Sequence, residues 1–302
     1  MAYFMLHTHY EQQVLNFFDY LKFEKRYSQH TVVSYETDLN QFFTFLEKAF
    51  EAPALPNISS AIIRTWLAAL KENNTAAKSI HRKASSLKSF FRFLLRKQIV
   101  TQSPMATVVL PKLNKRLPVF VAENEMAKVA SITFPDNWKG RTQRLAVELL
   151  YATGMRLSEL IQLKESQIDS SYCQIKVLGK GNKERIIPLS AALLKKIESY
   201  VSEKPARIED AFNLLVTESG KPLYPKYIYN TVKQTLSQVT TVKKKSPHVL
   251  RHSFATHLIN NGAEIKAIRD LLGHSSLAAT QVYTHNSIEK LKEVYKKAHP
   301  KG

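Results

Sequence analysis

The stretch SPHVLRHSFATHLINNG, Ser246 to Gly262, gathers His248, Arg251, His252 and His257 into about three helical turns. Ser246 reads as an N-cap, Pro247 as the first helical residue and Asn261-Gly262 as the stop. On such a helix Leu250, Phe254 and Leu258 form a buried stripe, while His248 and Arg251, three apart, share another face near the N-terminus. A metal site would want His248 and His252 as an i, i+4 pair plus a third ligand. Arg251 would place a positive charge beside that ion, and the H-E-x-x-H pattern is absent. His252 and His257 read instead as packed or hydrogen-bonded side chains, and His248 with Arg251 suits an anion.

Three further stretches carry chemistry of the same sign. In YATGMRLSEL, Gly154 should end one helix and Arg156 should fall in the first turn of the next. A cation there opposes the helix dipole, and Glu159, three residues on, partly compensates. The pair is either a plain surface ion pair or a guanidinium aimed at a phosphate beside a helix N-terminus. The glycines of GKGNK suit a tight hairpin that projects Lys180 or Lys183; the spacing of a nucleotide-binding loop is absent. In LLGHSSLAATQVYTH, Gly273 should end a helix, His274 should sit on the loop, and a short helix should end near Tyr283.

These stretches need elements to carry them. The first third reads as four helices, with Val14, Phe17, Phe18 and Leu21 on the first and Val33, Leu39, Phe42, Phe43 and Leu46 on the second. The prolines of EAPALPN break the second helix, and Ser59 or Ser60 caps the third. The fourth places Ile80, Ala84, Leu87 and Phe91 on one stripe. It carries Lys78, Arg82, Lys83, Lys88, Arg92, Arg96 and Lys97 with no acid among them. A wholly cationic face repels itself unless phosphates neutralise it, so this helix is expected to face DNA. Pro104, Pro111 and Pro118 then mark an interdomain linker, giving domains over residues 1–104 and 118–302 joined by 105–117. YCQIKVL and ERIIPLS read as paired strands in an otherwise helical second half.

The bulk composition agrees. A chain of 302 residues accommodates two domains, and 44% apolar residues fit a folded protein. The net charge of +19 implies a polyanionic partner, nucleic acid first. No apolar run reaches membrane-spanning length, the start does not read as a secretion signal, and Cys173 alone excludes an internal disulfide, so the expected location is cytoplasmic and away from membranes.

Taken in order, ATGMRLSEL, GKGNKER, SPHVLRHSFATHL, LLGHSS and TQVYTH resemble the signature of the tyrosine recombinase (phage integrase) family, most closely its Xer (XerC/XerD-like) branch. The resemblance implies a mainly α-helical fold with a small antiparallel β-sheet in the catalytic domain. It also implies a two-domain architecture that clamps DNA, the N-terminal part being a SAM-like core-binding domain. It implies as catalytic residues Arg156, Lys180, His248, Arg251, His274 and Tyr283, the last as nucleophile, with Glu159 in support. Lys183 and Arg185 are expected as DNA contacts beside Lys78, Arg82, Lys83, Lys88 and Arg92 of the fourth helix and Lys243, Lys244 and Lys245 ahead of the clamp helix. The implied reaction uses no metal and no other cofactor. The implied partners are a double-stranded recombination site, four protomers on DNA including a paralogous recombinase, and a division-associated DNA translocase. Chromosome dimer resolution is the leading expectation. A mobile-element integrase or transposase would share the chemistry, a type IB topoisomerase would use a similar pocket, and a non-catalytic architectural DNA binder would rely on the cationic face alone.

Overall fold

The computed structural model describes residues 10–111, 119–179, 184–204, 212–273 and 293–300. The chain divides into two compact units, Met1–Arg116 and Leu117–Gly302.

In the first unit α1 (Glu11–Asp19) runs into a π-helical turn (Tyr20–Glu24) and is followed by α2 (Gln29–Phe50), α3 (Ser60–Glu72) and α4 (Ala77–Arg96). Ser28 and Ser59 cap α2 and α3, their side chains accepting from the Thr31 and Ile62 amides. The expected stripes are buried with one exception: Val33 is exposed and Val32 takes its place inside. Aromatic rings fill the core, with Phe17 edge-on to Phe90 at 5.3 Å and Phe42 edge-on to Trp66 at 5.0 Å. Residues 105–111, read from sequence as the start of a linker, belong instead to this unit. Met105 is buried, Val108 and Leu110 pack on the core, and a His81 ring nitrogen donates to the Pro111 carbonyl at 2.5 Å.

The cationic face of α4 is not uniform. Asp38 of α2 is fully buried and accepts from Arg82 Nη1 at 2.5 Å, Lys83 Nζ at 3.1 Å and Ser86 Oγ at 2.8 Å. Lys83 is itself buried and also bonded to Gln41, so it is an internal ion-pair partner rather than the surface DNA contact its spacing suggested. The compensating acid lies on another helix, where the one-helix reading could not find it. Lys78, Arg82, Lys88 and Arg92 remain exposed.

The second unit is built around α6 (Trp138–Thr153) and α10 (Pro247–Asn260), which pack on each other and are buried over most of their surfaces. Around them lie α5 (Glu123–Ala127), α7 (Leu157–Gln162), α8 (Ala191–Ser202), α9 (Pro225–Val239) and α11 (Ile265–Leu272). The sheet is antiparallel, in the order β1 (Ile168–Asp169), β2 (Gln174–Leu178), β3 (Glu184–Pro188), and β1 was not expected from the sequence. The described part of the chain is therefore mainly helical with one small antiparallel sheet. Among the described residues, no helix is long and apolar enough to cross a membrane.

Two side chains of α10 fix its position through the entry segment. Ser253 Oγ accepts from the Val121 amide at 2.8 Å, and His257 Nε2 meets the Val121 carbonyl at 2.9 Å. A carbonyl only accepts, so His257 carries its proton on Nε2, and Nδ1 accepts from the Tyr151 hydroxyl at 2.9 Å. Burial pushes the His257 pKa down, in keeping with this neutral tautomer, although the Val121 bond and Glu123 work the other way. Residues 293–298 form a helix whose Tyr295 and Ala298 pack with Phe254 and Leu258.

Candidate active site

Arg156 and Arg251 reach the site from two helix N-termini. Gly154 closes α6 in the left-handed conformation (φ +58°), and Arg156 is the N-cap of α7 rather than a residue of its first turn. The Glu159 carboxylate returns to that N-terminus, accepting from the Arg156 amide at 2.6 Å and from Arg156 Nη1 at 2.8 Å. Arg251 sits in the second turn of α10, which begins at Pro247 as expected. Ser246 holds the N-cap position, yet its buried hydroxyl makes no capping bond.

Three arginines converge on the last turn of α11. Arg185 Nε donates to the Leu271 carbonyl at 2.8 Å, Arg251 Nη2 to the Leu272 carbonyl at 2.7 Å, and Arg156 Nη2 to the Gly273 carbonyl at 3.1 Å. Carbonyls at a helix C-terminus lack intrahelical partners and carry the negative end of the helix dipole, so cations are favoured there. Arg251 Nη1 also holds the Gly154 carbonyl at 2.6 Å, tying the end of α6 to the end of α11. These bonds use two of the five N–H groups on each of Arg156 and Arg251.

Glu159 is the counter-charge. Burial alone would raise its pKa, but two bonds and the charge of Arg185, joined by the bonds from Arg156, outweigh this and hold the carboxyl at about 2. Arg251 is lowered to about 10, first by burial and then by repulsion from Arg156 and Arg185, with Glu159 opposing; it stays charged at neutral pH. Among the described residues the cluster thus has three guanidinium groups for one carboxylate. Fixed cationic donors at helix ends, partly out of water, suit a phosphate oxygen.

One expected contact is overturned here. Arg185 is 3% exposed and donates to both Glu159 oxygens, Nη1 to Oε1 at 2.8 Å and Nη2 to Oε2 at 2.7 Å, besides Leu271. With both ends of its fork engaged inside the protein, it is no surface DNA contact. The strand period carried the signal: Arg185 pairs with buried Val177 and alternates with Ile187 on the inner face of the hairpin. His248 is exposed in the first turn of α10, Lys243 and Lys244 are exposed ahead of it, Lys245 is half-buried, and His252 is half-buried while His257 is buried as expected. Lys180, Lys183, His274 and Tyr283 lie outside the described residues.

Residues 120–290 match the phage integrase family and residues 14–98 the phage integrase N-terminal SAM-like domain. The chain belongs to the tyrosine recombinase (phage integrase) family. It is 35% identical to tyrosine recombinase XerC of Anoxybacillus flavithermus over 291 residues, covering 95% of this chain and 97% of that one. It is 36% identical to tyrosine recombinase XerD of Staphylococcus saprophyticus over 290 residues, covering 94% and 98%. The fold is similar to that of the XerH site-specific recombinase bound to a palindromic difH substrate in a post-cleavage complex, with a TM-score of 0.68, 23% identity, and coverage of 93% of this chain and 83% of that one. The chain is thus a DNA-recombining enzyme of the Xer type, with the chemistry of a site-specific tyrosine recombinase.

Proposed function

We propose that this recombinase resolves chromosome dimers, cutting and rejoining DNA at one chromosomal site through a 3′-phosphotyrosyl intermediate. In this reading Arg156, Arg251 and His274 hold the two non-bridging oxygens of the scissile phosphate and stabilise the charge that grows there in the transition state. Tyr283, a phenol with an ordinary pKa of about 10, is mostly protonated at neutral pH; His248 takes its proton as it attacks. The bond from the Tyr283 oxygen to phosphorus forms as the bond to the 5′ oxygen breaks, and Lys180 protonates the departing 5′ oxygen. The ester keeps the energy of the broken bond, so rejoining is the same step reversed.

The observation that carries this reading is the pair of arginines, Arg156 and Arg251, fastened to successive carbonyls of α11 immediately ahead of position 274. Relatives matched over nearly their full length are named XerC and XerD, which favours a chromosomal role over that of a mobile-element integrase. The exposed cations Lys78, Arg82, Lys88 and Arg92 of α4 and Lys243 and Lys244 ahead of α10 supply phosphate contacts, with half-buried Lys245 and with Lys183. The working complex is four protomers on two duplex sites in the cytoplasm, with a paralogous recombinase and a division-associated DNA translocase as partners.

The test is attachment. Purified protein incubated with genomic fragments should become covalently joined to DNA at one recurrent sequence, and a nicked duplex of that sequence should trap the adduct. Tyr283→Phe should bind the same duplex and give no adduct. Adduct formed by Tyr283→Phe, or none formed by the wild type, would refute the reading.

A further inference from the structure

The last three backbone positions of the α11 terminus each meet a different arginine, yet only two of those arginines have a proposed place at the phosphate. The third, Arg185, comes from β3 and is the most buried of the group. Its Nε holds the Leu271 carbonyl, and its two terminal nitrogens grip both oxygens of Glu159. Glu159 in turn holds the backbone and the guanidinium of Arg156. The close fit is visible at Gly273, where an added Cβ would lie 3.0 Å from Arg185 Cδ in a backbone already at φ +61°.

We infer that Arg185 is a positioning residue for strand cleavage: it braces the carboxylate that aims Arg156 and fixes the α11 terminus whose carbonyls hold Arg156 and Arg251. Without Arg185, Glu159 would keep Arg156 as its hydrogen-bonded cation among the described residues but would lose the fork that holds the carboxylate itself in place. The end of α11 would also lose its link to the sheet. The geometry requires an arginine, because one planar fork satisfies three acceptors in two directions and an ammonium cannot. The inference rests on the roles proposed above for Arg156 and Arg251.

The readout that separates positioning from simple structural support is a pH profile. Among the described residues, the charged groups facing Glu159 are Arg156 at the start of α7, Arg185 from β3 and Arg251 from α10, while α11 presents main-chain carbonyls. In the wild type Glu159, at about 2, stays ionised across pH 5 to 8. In Arg185→Met the burial that raises its pKa persists and the strongest opposing partner is gone. The carboxylate then titrates higher, and a rate that depends on it falls as pH drops.

Single-turnover formation of the covalent adduct on saturating nicked duplex, built on the recovered attachment sequence, should be slower in Arg185→Met by about 100-fold. The duplex Kd should change by less than about threefold, since the binding surfaces lie elsewhere. The ratio of the wild-type rate to the Arg185→Met rate should grow as pH falls, a comparison that cancels any titration common to both proteins, and the same ratio taken in a Glu159→Gln background should be flat. Arg185→Lys, which keeps the charge and is the control should the methionine variant fail to fold, should give an intermediate rate at a temperature where it is folded. A rate for Arg185→Met within threefold of the wild type, a loss of the same size at every pH, a pH-dependent ratio that persists with Glu159→Gln, or full rescue by lysine would each overturn the inference. Absence of adduct from the wild type would overturn the reading of the site, and this inference with it. Wild-type adduct together with an unaltered Arg185→Met overturns this inference alone.

Discussion

Gly154 joins backbone strain, core packing and the arginine cluster at one residue, so Gly154→Ala tests all three. The residue has φ +58°, where an L side chain costs about 1 kcal/mol. A Cβ there would lie 2.4 Å from Phe254 Cδ1, and Phe254 is fully buried, so its ring has no space to yield. Overpacking of this kind costs roughly 1–3 kcal/mol, for a total of about 2–4 kcal/mol. At about 2–4 °C per kcal/mol for a unit of this size, the melting temperature of the second unit should fall by about 4–16 °C. The internal control is Gly262→Ala, with φ +83° and no atom of the described residues within 4 Å of the added Cβ. It bears the backbone cost alone and should fall by about 2–4 °C. Because the Gly154 carbonyl accepts from Arg251, Gly154→Ala should also slow adduct formation more than its thermal effect explains, whereas Gly262→Ala should leave the rate unchanged at a temperature where both are folded. Equal thermal shifts for the two variants would refute the packing argument, and an unaltered rate in Gly154→Ala would refute the link to Arg251.

Asp38→Ala should destabilise the first unit by about 3–5 kcal/mol in chemical denaturation, because it leaves the buried Lys83 ammonium without its counter-charge, whereas exposed Lys88→Ala should change stability by less than about 0.5 kcal/mol. Lys88→Ala combined with Arg92→Ala should lower the salt-dependence slope of duplex binding by about 2, measured by anisotropy across a salt series; an unchanged slope would remove α4 from the DNA interface. Glu159 has a folded pKa of about 2 against an ordinary 4.5, so its ionised form contributes stability that is fully present above pH 4.5 and is lost as pH falls through about 2. Acid titration of Glu159→Gln should lack that component, and superimposable wild-type and variant curves below pH 4.5 would contradict the assignment.

The helices and the placing of Arg156 and Arg251 near helix N-termini were legible because each rests on local rules: spacing, caps and glycine stops. The buried stripe of α10 and the left-handed ends at Gly154, Gly262 and Gly273 follow from those rules alone. What escaped was set by partners distant in sequence. Lys83 looked like its exposed neighbours until Asp38, on another helix, drew it inside, and Arg185 looked like one more hairpin cation until Glu159 gave its fork a destination. Charge on a helix or strand shows where a residue wants a counter-ion, and only the tertiary fold decides whether that ion is a phosphate or a carboxylate. Val33 and Val32 differ for a smaller reason: adjacent residues on a helix are 100° apart, and a single-stripe reading resolves the buried edge no better than that.

The arrangement of Arg156, Arg185 and Arg251 around Glu159 leaves two positive charges in excess among the described residues. Like charges gathered out of water push one another apart, and the polypeptide alone must contain that pressure through its helix-end carbonyls. An anion entering among them removes part of the load, so whatever the cluster grips should also make the surrounding helices harder to melt. Recognition and cohesion are then the same electrostatic event, and heat resistance gained on adding ligand becomes a direct gauge of how well the ligand's charge fits.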